Sequence, residues 1–290
     1  VTADMSPDQV HPSTSSVDSM DNDDKALSVK LKVEPLQKPD AKLKIRTLCL
    51  LGALLPGLGC YFCIAYTYIF QFEKVANFQS SHCPDVTSPF PPVSYSIGVW
   101  KPQVYIWLLV LCCHLPPRVF FAVVYIRQYK LGHSESKKEK WFRNLIWIHM
   151  RMMFIEITGL MTVSIIDIES HFLLHAICYA IWLISFNFNM LFNTILHHYS
   201  GYRDLHDHHN ITFHVKRLML ITGIPVSVSS AVSYITYVYF CSNIAYALFS
   251  VAECIIVGYN SGFYFLIIWE MGSARLEFTV SNIRNYGNEA

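Results

Sequence analysis

His114, Arg118, Glu156, His175, Glu253 and Asn260 all sit inside long apolar stretches of this 290-residue chain, where hydrocarbon does not tolerate such side chains cheaply. A single charge at the middle of a bilayer-spanning helix costs roughly 2.5 to 3.5 kcal/mol on insertion scales, so these groups are expected to face one another rather than lipid. Two chemistries follow. One is structural: an ion-pair and hydrogen-bond network, with Arg118 against Glu156 or Glu253, that fixes helix register. The other is proton transfer between Glu and His, with Arg118 holding an anionic headgroup or phosphate. His114, Glu156, His175 and Glu253 are therefore the candidate catalytic residues, and Arg118 and Asn260 the candidate substrate-binding ones.

The elements that must position them are six apolar runs: Leu48 to Phe70, Val104 to Tyr125, Leu145 to Ile166, His171 to Asn193, Leu218 to Phe240 and Ile244 to Trp269. At about 1.5 Å per residue each is long enough to cross a hydrocarbon core of roughly 30 Å. The composition agrees, with 53% hydrophobic and only 15% charged residues; soluble domains carry about 25% charged residues. The short connections between spans four, five and six predict an all-α, polytopic fold in which one antiparallel six-helix bundle forms the membrane domain over residues 47–272. Residues 1–46 lack aromatic side chains and are rich in Asp, Ser, Pro, Lys and Gln. They read as a disordered cytosolic tail, unable to offset the ordering entropy by burial, and residues 273–290 read as a second cytosolic tail. The first apolar run is too long, and starts too late, for a cleaved signal, so it is expected to be a retained span. A net charge of +1 gives no sign of a nucleic-acid partner.

Basic residues cluster before span one (Lys38, Lys42, Lys44, Arg46) and between spans two and three (Arg127, Lys130, Lys137, Lys138, Lys140, Arg143), whereas residues 71–101 carry only Lys74 and Lys101. Both termini are therefore expected in the cytosol, and residues 71–101 form the one sizeable loop on the lumenal side. Seven of the nine cysteines fall within spans and read as small apolar residues; Cys83 and Cys241 are both on the oxidising side and are free to pair. Pro56, Gly57 and Gly59 allow close approach of neighbouring backbones, and Pro116-Pro117 frees carbonyls between His114 and Arg118. His197, His198, His206, His208 and His209 crowd the connection between spans four and five without a fixed ligand spacing, so a solvated histidine-rich loop is expected and no metal site. His149 and Arg151 are expected to snorkel to headgroups, and Trp100, Trp107, Trp141, Trp147 and Trp269 to anchor the interface.

Several of these residues fall into a pattern running from Pro56 to about Gly272: Pro56-Gly57, His82-Cys83, the His-Leu-Pro-Pro-Arg element from His114 to Arg118, Glu156, Glu169 followed by His175, then Glu253, Asn260, Phe263 and Trp269. This pattern resembles the post-GPI-attachment-to-proteins factor two family, within the wider Frag, DRAM and Sfk group of six-span proteins. The resemblance implies a role in remodelling the lipid of GPI anchors in the Golgi membrane, with the endoplasmic reticulum as a second location. There a fatty acid removed from the anchor is replaced by a saturated one before surface display.

The implied partners are GPI-anchored proteins with their lyso-GPI lipid, an acyl donor or a separate acyltransferase, and the membrane; no cofactor is implied. The resemblance leaves open whether the chain is the acyltransferase or an accessory to one. Transfer to a free glycerol hydroxyl needs a base, for which His114 or His175 with a neighbouring Glu would serve, and an oxyanion donor, for which Arg118 or Asn260 would serve. No Gly-x-Ser-x-Gly sequence is present, which argues against a serine acyl-enzyme. The alternatives are a transporter, channel or lipid scrambler, since intramembrane Glu and His also build ion paths, and a non-catalytic membrane organiser.

Overall fold

The computed structural model describes residues 41–80, 82–271 and 277–280. Six of its helices are long and apolar enough to cross a membrane: α1 (Ile45–Phe70), α4 (Gln103–Leu131), α5 (Lys140–Ile165), α6 (Phe172–Tyr199), α7 (Asp207–Phe240) and α8 (Asn243–Met271). Two short helices, α2 (Phe72–Ala76) and α3 (Val93–Gly98), lie in the segment between the first two spans. The chain is thus a multi-pass, all-α membrane protein. Most of the two expected tails lies outside the described residues. The parts that are described, Ala41–Lys44 and Glu277–Val280, form two short paired strands.

The helices outrun the apolar segments that announce them. α7 starts at Asp207 rather than Leu218, and α6 continues past Asn193 to Tyr199. Backbone hydrogen bonding does not stop where hydrophobicity stops, and Lys and Arg are good helix formers. The connection between α6 and α7 is consequently reduced to a tight turn around Tyr202–Asp204. His197 and His198 fall in the last turn of α6 and His208 and His209 in the first turn of α7, with His197 and His209 buried. The expected solvated histidine loop is therefore mostly helix. Among the described residues no group of three or more His, Cys, Asp or Glu is arranged to hold a metal ion.

α8 is the central helix, with 56% of its apolar window buried against 22% for α7. It packs along α7 and α1; α1 also packs along α4, and α5 pairs with α6. The small residues of α1 act as expected. A Cβ on Gly57 would come within 2.5 Å of the Ser261 hydroxyl on α8, so only glycine lets the two helices meet there. The main core joins Cys49 and Ala53 of α1 to Phe121 and Tyr125 of α4, Met153 of α5 and Tyr264 and Ile267 of α8.

The segment between α1 and α4 folds down onto one end of the bundle. Phe78 and Tyr95 pack edge-on at 4.8 Å between ring centres, and Phe78 stacks on Tyr246 at 6.1 Å. The Ser80 and Tyr237 hydroxyls share a hydrogen bond, and Cys83 is disulfide-bonded to Cys241 at the C-terminus of α7. These contacts press α3 into the bundle, so that Val93, Ser94, Tyr95 and Ser96 are all buried. That placement makes a loop residue part of the interior.

Candidate functional site

The six intramembrane groups do not meet in one pocket. Arg118, Glu156 and Asn260 form one network, His175 and Glu253 belong to another, and His114 joins neither.

In the first network Glu156, on α5, is fully buried and receives four donors. Arg118 Nη1 at 3.3 Å and Asn260 Nδ2 at 2.7 Å donate to Oε1. Asn189 Nδ2 at 2.6 Å and the Tyr264 hydroxyl at 2.8 Å donate to Oε2. Arg118 also donates to Asn260 Oδ1 at 2.5 Å and to the Gly52 carbonyl at 3.3 Å, with its guanidinium 4.8 Å from the Tyr264 ring centre. A Cβ on Gly52 would lie 3.2 Å from the Phe121 ring and 3.3 Å from the Arg118 backbone nitrogen, so α1 and α4 are in close contact where the Gly52 carbonyl is reached. The orientation of every amide is fixed, because the oxygen of Asn260 faces Arg118 and its nitrogen faces the carboxylate. Asn189, with its nitrogen on Glu156, must accept on Oδ1 from His149 Nε2 at 2.6 Å. The set is a closed scaffold in which each charge already has a protein partner.

The second network lies nearer the Cys83–Cys241 end. Glu253 Oε2 accepts from the Val93 backbone N–H at 2.8 Å, and Oε1 is 3.2 Å from the Ser94 hydroxyl. Ser94 Oγ is in turn 2.9 Å from His175 Nε2, whose Nδ1 lies 2.8 Å from the Ile166 carbonyl. A carbonyl only accepts, so Nδ1 carries a proton, and the run from Nε2 through Ser94 to Glu253 has two self-consistent arrangements. Either His175 is an imidazolium donating to Ser94, which donates to a Glu253 carboxylate; or Glu253 is protonated and donates to Ser94, which donates to a neutral imidazole. The serine hydroxyl thus bridges His175 and Glu253, and the two arrangements differ in where one proton sits.

Two cavities meet at this run. One is lined by Pro56 and Cys60 of α1, Trp107 of α4, Leu160 of α5 and Asn260 of α8. The other, the roomier of the two, lies between α6 and α7. Ser94, His175, Tyr179 and Glu253 line both. Asn260 connects the networks, since it binds Arg118 and Glu156 while lining the first cavity. His114 is buried with Nδ1 on the Val110 carbonyl at 2.7 Å and its ring 6.1 Å from that of Trp107.

The family description Frag1/DRAM/Sfk1/Cwh43P N-terminal domain matches residues 45–274, the whole helical bundle. The chain belongs to this family. A Drosophila melanogaster protein named Post-GPI attachment to proteins factor 2 is 24% identical over 229 residues, covering 79% of this chain and 86% of its own length. Another from the same organism, named Post-GPI attachment to proteins factor 2-like, is 26% identical over 232 residues, covering 78% and 69%. A Xenopus tropicalis protein named Acyltransferase PGAP2 is 23% identical over 239 residues, covering 81% and 90%. No solved structure matches.

Sequence reasoning missed several buried groups of this Frag1/DRAM/Sfk1 chain. Ser94 sits in what reads as a lumenal loop, and nothing in its local sequence marks it as interior. His149, expected to snorkel, is fully buried against Asn189, whereas Arg151 is exposed and lies 3.5 Å over the Trp147 ring. Trp107, expected at the interface, is buried beside His114.

A second buried ion pair was also missed. Lys216 Nζ lies 2.5 Å from Glu270 Oε1, both at most 1% exposed, with His197 Nδ1 3.4 Å from the same oxygen. Lys216 and Glu270 both flank the apolar runs, so each reads as an end charge. The extension of α7 by several turns carries Lys216 inside.

Proposed function

We propose that this chain remodels the lipid of GPI anchors after their attachment to protein, in the Golgi, by transferring a fatty acyl chain to the free glycerol hydroxyl of a lyso-anchor. The observation that carries the reading is the His175–Ser94–Glu253 run standing where two cavities meet. The printed names of the relatives, two of them post-GPI attachment factors and one an acyltransferase, point the same way.

With Glu253 ionised and His175 neutral, the run has room for one more proton. The acceptor hydroxyl, placed in the cavity beside Asn260, gives its proton to Ser94 as Ser94 passes its own to His175 or Glu253. The hydroxyl oxygen then bonds to the carbonyl carbon of an acyl thioester. Asn260 has a second amide hydrogen beyond the one given to Glu156, and it serves as donor to the oxyanion. When the carbon–sulfur bond breaks, the thiolate takes the proton back from the run. Arg118 and Glu156, already satisfied by each other and by Asn260, Asn189 and Tyr264, hold α4, α5 and α8 in register and position Asn260. The loop carrying Cys83 and Ser94 faces the lumen in this scheme, with both termini in the cytosol.

The test is the anchor-lipid composition of deficient cells carrying Ser94→Ala or Glu253→Gln. Removing a general acid–base group costs about 10²- to 10⁴-fold in rate, so both variants are expected to persist in the membrane while the saturated chain disappears from the anchors. Well-expressed variants that restore the anchor profile in full would sink the proposal.

A further inference from the structure

The cavity between α6 and α7 differs in kind from its neighbour. Between larger side chains, Phe172 and Leu183 on α6 and Tyr234 and Ile235 on α7, the small residues Ala176 and Ala180 face Ser230 and Ala231 and leave a gap, crossed at its polar end by the Tyr179 hydroxyl 3.4 Å from Ser230 Oγ. At Leu183 and Ala231 the gap adjoins a further hollow that follows the same seam down to Leu191 and Ile224. The outer rim is open, since Ala180, Ala231, Ile184 and Val228 are exposed. At one end stand Ser94, His175 and Glu253; below them the chief polar contact across the seam is Asn187 Nδ2 to Ser227 Oγ, 3.0 Å. A polar head, an apolar body and a side open to the bilayer describe a site for one amphiphile.

The seam is long enough to take one chain. From His175 to Leu191 along α6 is about 24 Å at 1.5 Å per residue, against about 15 Å for a lipid chain that fills half of a hydrocarbon core of roughly 30 Å. Resting on the acyl-transfer reading above, we propose that the α6–α7 seam binds the acyl chain being transferred. The chain enters sideways from the bilayer and its carbonyl end lies at Ser94. The geometry favours the transferred chain over the chain that the lyso-anchor retains, because only the transferred chain must begin at the atom attacked. The cavity on the far side of Ser94, between α1, α5 and α8, is left for the acceptor hydroxyl.

Photo-crosslinking of the full-length protein in lipid nanodiscs tests this without requiring turnover. The probes are a long-chain acyl-CoA with a diazirine near the chain end and, as the second arm, a lysophosphatidylinositol with the same group. The acyl-CoA probe is expected to label seam-facing residues of both α6 and α7 between 183 and 231. Ala231→Phe and Ala176→Phe, which fill the gap at different depths, are each expected to cut that labelling by at least fivefold while eluting as monodisperse protein. If one of the two does not fold, the other carries the test.

Labelling of the seam by the lysolipid in place of the acyl-CoA overturns the assignment, as does labelling spread equally over outward residues such as Leu173 and Ile177, or absence of label from the seam. The two proposals fail separately. Seam labelling that survives in Ser94→Ala alongside a normal anchor profile removes the catalytic reading and leaves the chain site. Loss of anchor acylation in Ser94→Ala with no seam labelling does the reverse.

Discussion

Replacing Arg118 by Met tests whether the Arg118–Glu156 pair is a scaffold. Both side chains are fully buried, so the substitution leaves a carboxylate facing only neutral donors: Asn260, Asn189 and Tyr264. Breaking one member of a buried pair costs about 3 to 5 kcal/mol, because the remaining charge has no counter-charge. An ordinary interhelical hydrogen bond averages only about 0.6 kcal/mol. At roughly 2 to 4 °C per kcal/mol for a domain of this size, Arg118→Met should lower the thermal midpoint by about 6 to 20 °C. The double variant Arg118→Met with Glu156→Leu removes both charges and should recover more than half of that loss, since an apolar replacement of a buried pair is often neutral. Thermal stability followed by fluorescence-detected size exclusion reads both values. An Arg118→Met protein within 1 kcal/mol of the parent (about 2 to 4 °C) refutes the reasoning, and so does a double variant no more stable than the single one.

Toward the other end of α8 from Glu253, Lys216→Met strands Glu270 in the same way and should cost about 3 to 5 kcal/mol, read by the same thermal assay. Lys216→Met with Glu270→Leu should regain stability and keep anchor remodelling intact, because this pair is remote from Ser94. Removing the Cys83–Cys241 bridge by Cys83→Ser opens a 158-residue separation, which for a freely flexible chain corresponds to about 5 kcal/mol. Six inserted spans reduce that figure, so the expected result is faster proteolysis of residues 71–101 with the bundle intact; maleimide labelling of both cysteines without reduction would contradict the bridge. Asp167, in the turn between α5 and α6, accepts from the Glu169 backbone N–H at 2.9 Å and the Ser170 hydroxyl at 2.7 Å. Partial burial pushes its carboxyl up, but these hydrogen bonds and the nearby His171 outweigh it and hold the carboxyl below its ordinary value. A depressed carboxylate stabilises the fold above its unfolded value near 4 and loses that contribution as pH falls through the folded value. Protection of the amides around residues 167–171, taken relative to the intrinsic exchange rate at each pH, should therefore fall below about pH 4, and Asp167→Ala should show the lower protection already at neutral pH.

The number of spans, the all-α class and the spacing of polar groups along each helix are legible in the sequence because they depend on distance along a single helix. Glu253 and Asn260 lie seven residues apart on α8, two turns or about 10 Å. That separation already makes it hard for one carboxylate to serve both. Which neighbours each group meets is a different matter. The rotation of a helix about its axis, and the choice of partner across a seam, come from packing of side chains far apart in sequence.

For this reason His149 and Trp107 are interior although their positions near span ends suggest the interface, and Lys216 and Glu270 pair although each reads alone as a flanking charge. Ser94 is the clearest case. It lies in a loop whose local sequence says little, and it joins His175 to Glu253 only because the aromatic cluster around Phe78 and Tyr246, together with the Cys83–Cys241 bond, presses α3 into the bundle. A hydrophobic pattern along the chain fixes what must leave water, but the His175–Ser94–Glu253 run draws its groups from three separate segments, and only their tertiary packing brings such groups within hydrogen-bonding distance.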